Sequence, residues 1–242
     1  MPPPDLDDAS SVTVLQFTDT HLSAIAGLPT SLRWLLDRLA ADPPDLVALT
    51  GDIVYEDPDD VDDRAFARAV FADLPSRLLT IPGNHDIGFY GDEDQRPDRL
   101  AAFVETWGSD RFAIDAAGWR LVGANAYLLG EPEHDAWLGE SVAADRPVAV
   151  FIHQPVVDDT ADGWEMPSGA IAAFNHAVDG ADVRLVASGH RHRYADRGRH
   201  VWAPSTTIPG ERRDERSDPR LGAVEFTFRG DATFNHRLIP VP

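Results

Sequence analysis

The side chains in this sequence best suited to binding a metal or moving a proton fall into short clusters. They are Asp19-Thr20-His21, Gly51-Asp52, Gly83-Asn84-His85-Asp86, the lone His153, and Gly189-His190-Arg191-His192. The chain contains no Cys, so these clusters offer carboxylate, imidazole and carboxamide but no thiolate. Hard and borderline cations favour such donors, and manganese, iron, zinc, cobalt or nickel would all fit. On extended backbone a spacing of two turns both side chains to one side. Asp19 and His21, and again His190 and His192, are therefore expected to face one pocket, with Thr20 and Arg191 turned away.

Each cluster stands where an apolar run ends. Val12–Phe17, Leu46–Leu49, Leu78–Ile81 and Val183–Ala187 have the length and composition of buried strands. Between several of them lie segments with helical spacing: Leu32, Leu35, Leu36 and Leu39; Phe66, Ala69 and Val70; Leu100, Phe103, Val104 and Trp107. Strand, helix and strand in succession imply parallel pairing. In such sheets the loops at the carboxyl ends of the strands gather on one edge, where ligands bind. Clusters scattered from residue 19 to residue 192 would thus meet. Further on, Trp119–Asn125 reads as a strand, His134–Leu138 as a helix, Pro147–Ile152 as the strand that delivers His153, and Val224–Phe228 as an antiparallel strand.

The ordered set resembles the calcineurin-like metallophosphoesterase superfamily, whose pattern is D-x-H, G-D, G-N-H-D or G-N-H-E, a lone His, and G-H-x-H. All five parts are present in order, with 33 residues from Asp19 to Asp52, 32 from Asp52 to Asn84 and 37 from His153 to His190. Singly each is weak, because D-x-H and G-D arise by chance; together they are specific. The resemblance covers roughly residues 12–230 and implies a four-layer α-β-β-α sandwich. It further implies one metal ion held by Asp19, His21, Asp52 and His192, and a second held by Asp52, Asn84, His153 and His190, with Asp52 bridging. Two cations about 3.5 to 4 Å apart can share a water and clamp the attacking and leaving oxygens of an in-line displacement. The implied nucleophile is hydroxide. By the same resemblance His85 protonates the leaving alkoxide or steadies phosphoryl charge, and Asp86 orients its imidazole.

The plainer readings lose only to the joint pattern. Alone, Asp52 would be a turn residue or helix cap, Asn84 a turn residue with positive φ, and His153 a strand end. His134, His176, His200 and His236 fit no motif and are assigned to surface or packing. Beside the clusters, Ser23, Tyr55, Phe89, Tyr90, Arg191, Arg193 and Tyr194 are candidates for specificity, an aromatic stacking on a base or an Arg pairing with phosphate. The competing expectation is that the aromatics pack under their loop and the two Arg are solvated by neighbouring acids. A loop from Val156 to Pro167, with Asp158, Asp159 and Trp164, could overhang the pocket. Val201–Thr207 is similar to the Pro-Ser-Thr stretch of cyclic-nucleotide phosphodiesterase relatives. His153-Gln154-Pro155 departs from the commoner His-His-Pro, and Asn125 stands where relatives often carry Asp.

With 242 residues the chain suits one domain over 11–242, preceded by a tail over 1–10 rich in Pro and Asp. No apolar stretch is long enough for a bilayer, and no leader is visible, so a cytoplasmic location without a membrane partner is expected. Of the charged residues, 31 are Asp, 10 Glu and 21 Arg, with no Lys and a net charge of -20. Such a surface suits high ionic strength, as in a halophile, where the Debye length shrinks to about 3 Å at 1 M. It disfavours nucleic acid, which needs a basic patch. The expected partner is a small-molecule phosphate ester, and a homodimer is compatible with the sequence. The chemistry expected is hydrolysis of a phosphodiester or phosphomonoester, with a cyclic-nucleotide phosphodiesterase type ahead of a broad-specificity phosphatase. A nuclease or a non-catalytic scaffold trails both.

Overall fold

Which face of each strand is buried, and against what, follows from alternation along the strand. The computed structural model describes residues 6–55, 57–158, 163–212, 215 and 217–242. Their order is β1 (Ser11–Phe17), α1 (Thr30–Ala41), β2 (Leu46–Thr50), α2 (Val61–Val70), β3 (Arg77–Ile81), α3 (Asn84–Ile87), α4 (Arg96–Trp107), β4 (Phe112–Ala116), β5 (Trp119–Ala124), α5 (Pro132–Val142), β6 (Val148–Ile152), α6 (Ser168–Ala177), β7 (Val183–Ser188), β8 (Tyr194–Arg197), β9 (His200–Trp202), β10 (Ser217–Asp218), β11 (Gly222–Arg229) and β12 (Phe234–Pro240).

One sheet runs β12-β11-β1-β2-β3 and the other β10-β8-β9-β7-β6-β5-β4. The inferred parallel pairing holds for β1 with β2, β2 with β3, β5 with β6 and β6 with β7, while β11 lies antiparallel between β1 and β12. Val12, Val14, Leu46 and Ala48 from the first sheet meet Leu121, Ala149, Phe151, Leu185 and Ala187 from the second in one buried cluster. The Phe151 and Phe226 rings, with centres 5.8 Å apart, join the two sheets. The alternate residues, Leu15, Phe17, Val47 and Leu49 on one side and Val122, Val150, Ile152 and Val186 on the other, are buried with the helices. Helices outside and two sheets face to face give the four-layer α-β-β-α sandwich.

Helix α2 corrects one residue of its expected face. Phe66 and Val70 are half-buried and pack against the core, whereas Ala69 is exposed and the fully buried residues are Asp63 and Ala67. On the same face the Asp63 carboxylate accepts the Ala24 N–H at 2.6 Å, tying the loop after β1 to the helix. Of the segment expected as a tail, residues 1–5 lie outside the described residues, as do Glu56 and Asp159. The Leu6 carbonyl accepts from Ala117 N–H at 2.8 Å, and Asp7 pairs with Arg146 at 2.8 Å. Among the described residues no helix is long and apolar enough to cross a membrane.

Candidate metal centre

The expected extended backbone at the paired ligands is not what the structure has. Asp19, His21, Asp52, His190 and His192 all lie in the left-handed region, with φ of 52°, 41°, 51°, 65° and 52°. That conformation costs a non-glycine residue on the order of 1–2 kcal/mol. It is needed because each chain must turn sharply off its strand while keeping a side chain aimed inward. Cross-loop bonds hold the turns: Asp19 N–H to Gly51 O at 2.9 Å, His21 N–H to Asp52 O at 3.0 Å, and Gly189 N–H to His153 O at 2.8 Å. Close approach explains the motif glycines. A Cβ on Gly83 would strike the Asp52 carboxylate, and one on Gly189 would strike Thr18 Oγ1.

Two sets of donors converge. Asp19, His21, Asp52 and His192 form one, Asp52, His153 and His190 the other, and within each set the ligand atoms lie within 4.8 Å of one another. His192 Nε2 is 3.2 Å from Asp19 Oδ1, and His153 Nε2 is 3.3 Å from Asp52 Oδ2. His21 Nε2 and His192 Nε2 stand 3.1 Å apart. Backbone carbonyls fix which nitrogen carries each proton, since a carbonyl only accepts. Thr50 O takes His153 Nδ1–H at 2.9 Å and leaves Nε2 as the ligand atom; Trp164 O takes His190 Nε2–H at 3.1 Å and leaves Nδ1.

The electrostatics ask for cations. Burial opposes charge on Asp19 and Asp52, yet His192 beside the first and His153 beside the second hold Asp19 at about 2 and Asp52 well below the usual carboxylate range. Burial lowers His153, but Asp52 outweighs it and lifts the imidazole to about 9. Among the described residues, Asp19 Oδ1 and His153 Nε2 are buried without a hydrogen-bond partner. Groups like these cost free energy unless something binds them. A pair of metal ions fits this donor set.

Of the other expected site residues, Asn84 is buried at the start of α3, and its Oδ1 accepts from the Tyr127 hydroxyl at 2.9 Å. It does not have the positive φ of a turn residue. His85 lines the same cleft as Asp52, Asn84, His190 and His192, of about 260 Å³, and its ring centre is 4.7 Å from that of His21. Asp86 does not orient that ring. Its carboxylate accepts from the N–H groups of Ile53 at 3.0 Å, Val54 at 3.2 Å and Gly83 at 2.8 Å, while among the described residues His85 Nδ1 has no hydrogen-bond partner. Asp86 faces back into the loops because three buried amides need an acceptor there. It latches the Asp52 loop to the turn before α3.

The candidates beside the ligands divide. Tyr55, Phe89 and Trp164 border the centre, their rings 6.3 Å from His21, 5.9 Å from His85 and 6.2 Å from His190 respectively. Arg191 and Arg193 line the cleft and are buried: Arg191 pairs with the neighbouring acid Asp158, as the competing expectation has it, and Arg193 lies over Trp202 at 5.2 Å. Tyr90 is turned away, its hydroxyl donating to Ala126 O at 3.0 Å, and Tyr194 packs by His236. Asn125 caps the turn that follows β5, accepting from Tyr127 N–H at 3.1 Å. Sequence reasoning missed Tyr127, whose signal was an aromatic hydroxyl at the carboxyl edge of β5. It also missed Thr18, which donates to Asp19 Oδ2 at 2.7 Å, while Ser205 of the Pro-Ser-Thr stretch donates to Asp19 O at 2.7 Å. None of His134, His176, His200 and His236 joins the centre.

Residues 12–194 match the model of the calcineurin-like phosphoesterase family, and the chain belongs to that family. It is 28% identical over 176 residues to the bovine serine/threonine-protein phosphatase CPPED1, a match covering 63% of this chain and 54% of that protein. The chain thus spans about half the length of that relative. It is 27% identical over 215 residues to a probable cyclic nucleotide phosphodiesterase of Synechococcus, covering 79% of this chain and 78% of the relative. The fold is similar to that of the purple acid phosphatase PPD1 from yellow lupin seeds, with a TM-score of 0.72, 14% identity, and coverage of 96% of this chain and 52% of the lupin chain.

Proposed function

We propose that this chain is a dinuclear-metal phosphohydrolase acting on small-molecule phosphate esters, diesters ahead of monoesters. The observation that carries the reading is Asp52, a buried carboxylate common to both donor sets. Asp19, His21, Asp52 and His192 would hold one ion, and Asp52, Asn84, His153 and His190 the other. When bound, such a pair supplies Lewis acidity toward phosphoryl oxygens and acidifies water. The chain's residues set the rest. Thr50 O and Trp164 O fix two ligand imidazoles, Tyr127 fixes the Asn84 carboxamide, and Asp86 holds the Asp52 loop in place. His85 meets the substrate's ester oxygen as proton donor or stabiliser of charge. Arg191 is engaged by Asp158, which supports an ester with one negative charge over one with two.

A monoesterase reading is favoured by the likeness to the bovine protein phosphatase. The two part on substrate. A bis-aryl phosphodiester and an aryl phosphomonoester should be offered side by side in high salt with manganese, with chelator as control. Chelator-sensitive diester cleavage is expected; monoester cleavage alone makes the protein a phosphatase, and no cleavage with any of the fitting metals overturns the hydrolase.

A further inference from the structure

The large apolar side chains that stand exposed among the described residues are Ile25, Tyr55, Val61, Phe89, Val104, Val157 and Trp164. All but Val61 and Val104 lie on loops leaving the carboxyl ends of β1, β2, β3 and β6, at the edge that carries the metal centre. The aromatic members continue the histidines. Ring centres step from Tyr55 to His21 at 6.3 Å, to His85 at 4.7 Å, to Phe89 at 5.9 Å, to Trp164 at 6.0 Å and to His190 at 6.2 Å. Phe89 and Trp164 touch and so cover each other in part, yet they remain 41% and 54% exposed.

Trp164 is held in place. Its carbonyl accepts from Gln154 Nε2 at 2.7 Å and from His190 Nε2 at 3.1 Å, so the residue bearing the indole is fixed to the metal-ligand turns. An exposed apolar wall on a chain of net charge -20 is costly unless something covers it. The cleft arginines are engaged, Arg191 by Asp158 and Arg193 over Trp202, which leaves ion pairing a poor means of gripping the remote part of an ester. Stacking on a π-face needs no such charge.

We propose that Phe89 and Trp164 select esters whose alcohol carries a flat aromatic or heteroaromatic group, which stacks on the wall while the phosphate sits at the metal centre. This rests on the phosphohydrolase reading. Trp164 is a specificity residue through its side chain, whereas its carbonyl serves His190 and survives substitution.

The test compares the methyl phosphodiesters of adenosine and of glycerol, which share their leaving-group chemistry, on metal-loaded wild type, Trp164→Ala, Phe89→Ala and Trp164→Phe. Wild type should prefer the adenosine ester. Trp164→Ala should lower that preference in kcat/KM by roughly 10- to 100-fold, chiefly through KM, as expected for one lost stacking contact, with Phe89→Ala in the same direction. Trp164→Phe should restore most of it. An equal loss on both esters, or wild-type indifference between them, overturns the inference. If wild type cleaves neither ester, the phosphohydrolase reading fails instead. The wall is then judged by equilibrium binding of adenosine monophosphate against glycerol phosphate, where equal affinities overturn it.

Discussion

Asp52 is pulled from several sides at once. One carboxylate oxygen accepts the His85 N–H at 2.9 Å, the other lies 3.3 Å from His153 Nε2, and the backbone beneath it is left-handed. His85 borders the same cleft but belongs to neither donor set. Replacing His85 by Ala should therefore leave metal content unchanged and reduce kcat by roughly 10² to 10⁴, the usual range for a positioned acid or base; kinetics with elemental analysis of the same sample checks it. Metal loss in that variant would move His85 into the ligand set. At this scale the residue types of the site were legible because ligand chemistry restricts them narrowly. Their backbone was not: D-x-H reads equally well on a strand or on a left-handed turn, and only the cross-loop bonds to Gly51, Asp52 and His153 decide. Asp86 was misread for a related reason, since adjacency to His85 in sequence says nothing about which buried amides lack an acceptor.

The loops after β1, β2, β3, β6 and β7 form the working surface, and the bonds between loops matter as much as the strands that launch them. Asp86 makes three of these bonds, from α3 to the loop after β2 and to the turn before its own helix. Leaving a buried donor unsatisfied costs about 1–3 kcal/mol. Asp86→Ala should thus lower unfolding stability by at least about 2 kcal/mol and weaken metal retention, because the Asp52 loop loses its latch. Denaturant unfolding of metal-free protein checks the first effect. If stability is kept and only turnover falls, Asp86 acts through His85 after all. The strands that launch these loops were legible, since buried parallel strands are apolar runs and α1 repeats its leucines at helical spacing, whereas β4, β8, β9, β10, β12 and α6 were not read from the sequence. In α2 the apolar spacing located Phe66 and Val70 but not Asp63, because a polar residue on a buried face is invisible to a search for apolar periodicity.

Across the whole molecule, 41 acidic residues against 21 basic ones leave a net charge of -20. Self-repulsion of this size is screened by salt, so Tm should rise by several degrees between low salt and about 1 M NaCl, where the Debye length is near 3 Å. A flat or falling Tm would show that the acids are locally compensated, as Asp59 by Arg99 and Asp182 by Arg184 already are. Bound cations add to this, because ions that bind only the folded chain stabilise it by mass action. The four-layer order was legible only through resemblance: alternation within a strand shows that both faces are buried, not that one face meets a second sheet. The measurement that bears most directly on the account is metal stoichiometry. Wild type and Asp52→Ala should be loaded with manganese, dialysed and analysed for metal per chain, with electron paramagnetic resonance to detect coupling between ions. Two coupled ions in wild type and loss of both, or of their coupling, in the variant is the result expected of a shared carboxylate. One ion or none in wild type, or two coupled ions retained without Asp52, would contradict it.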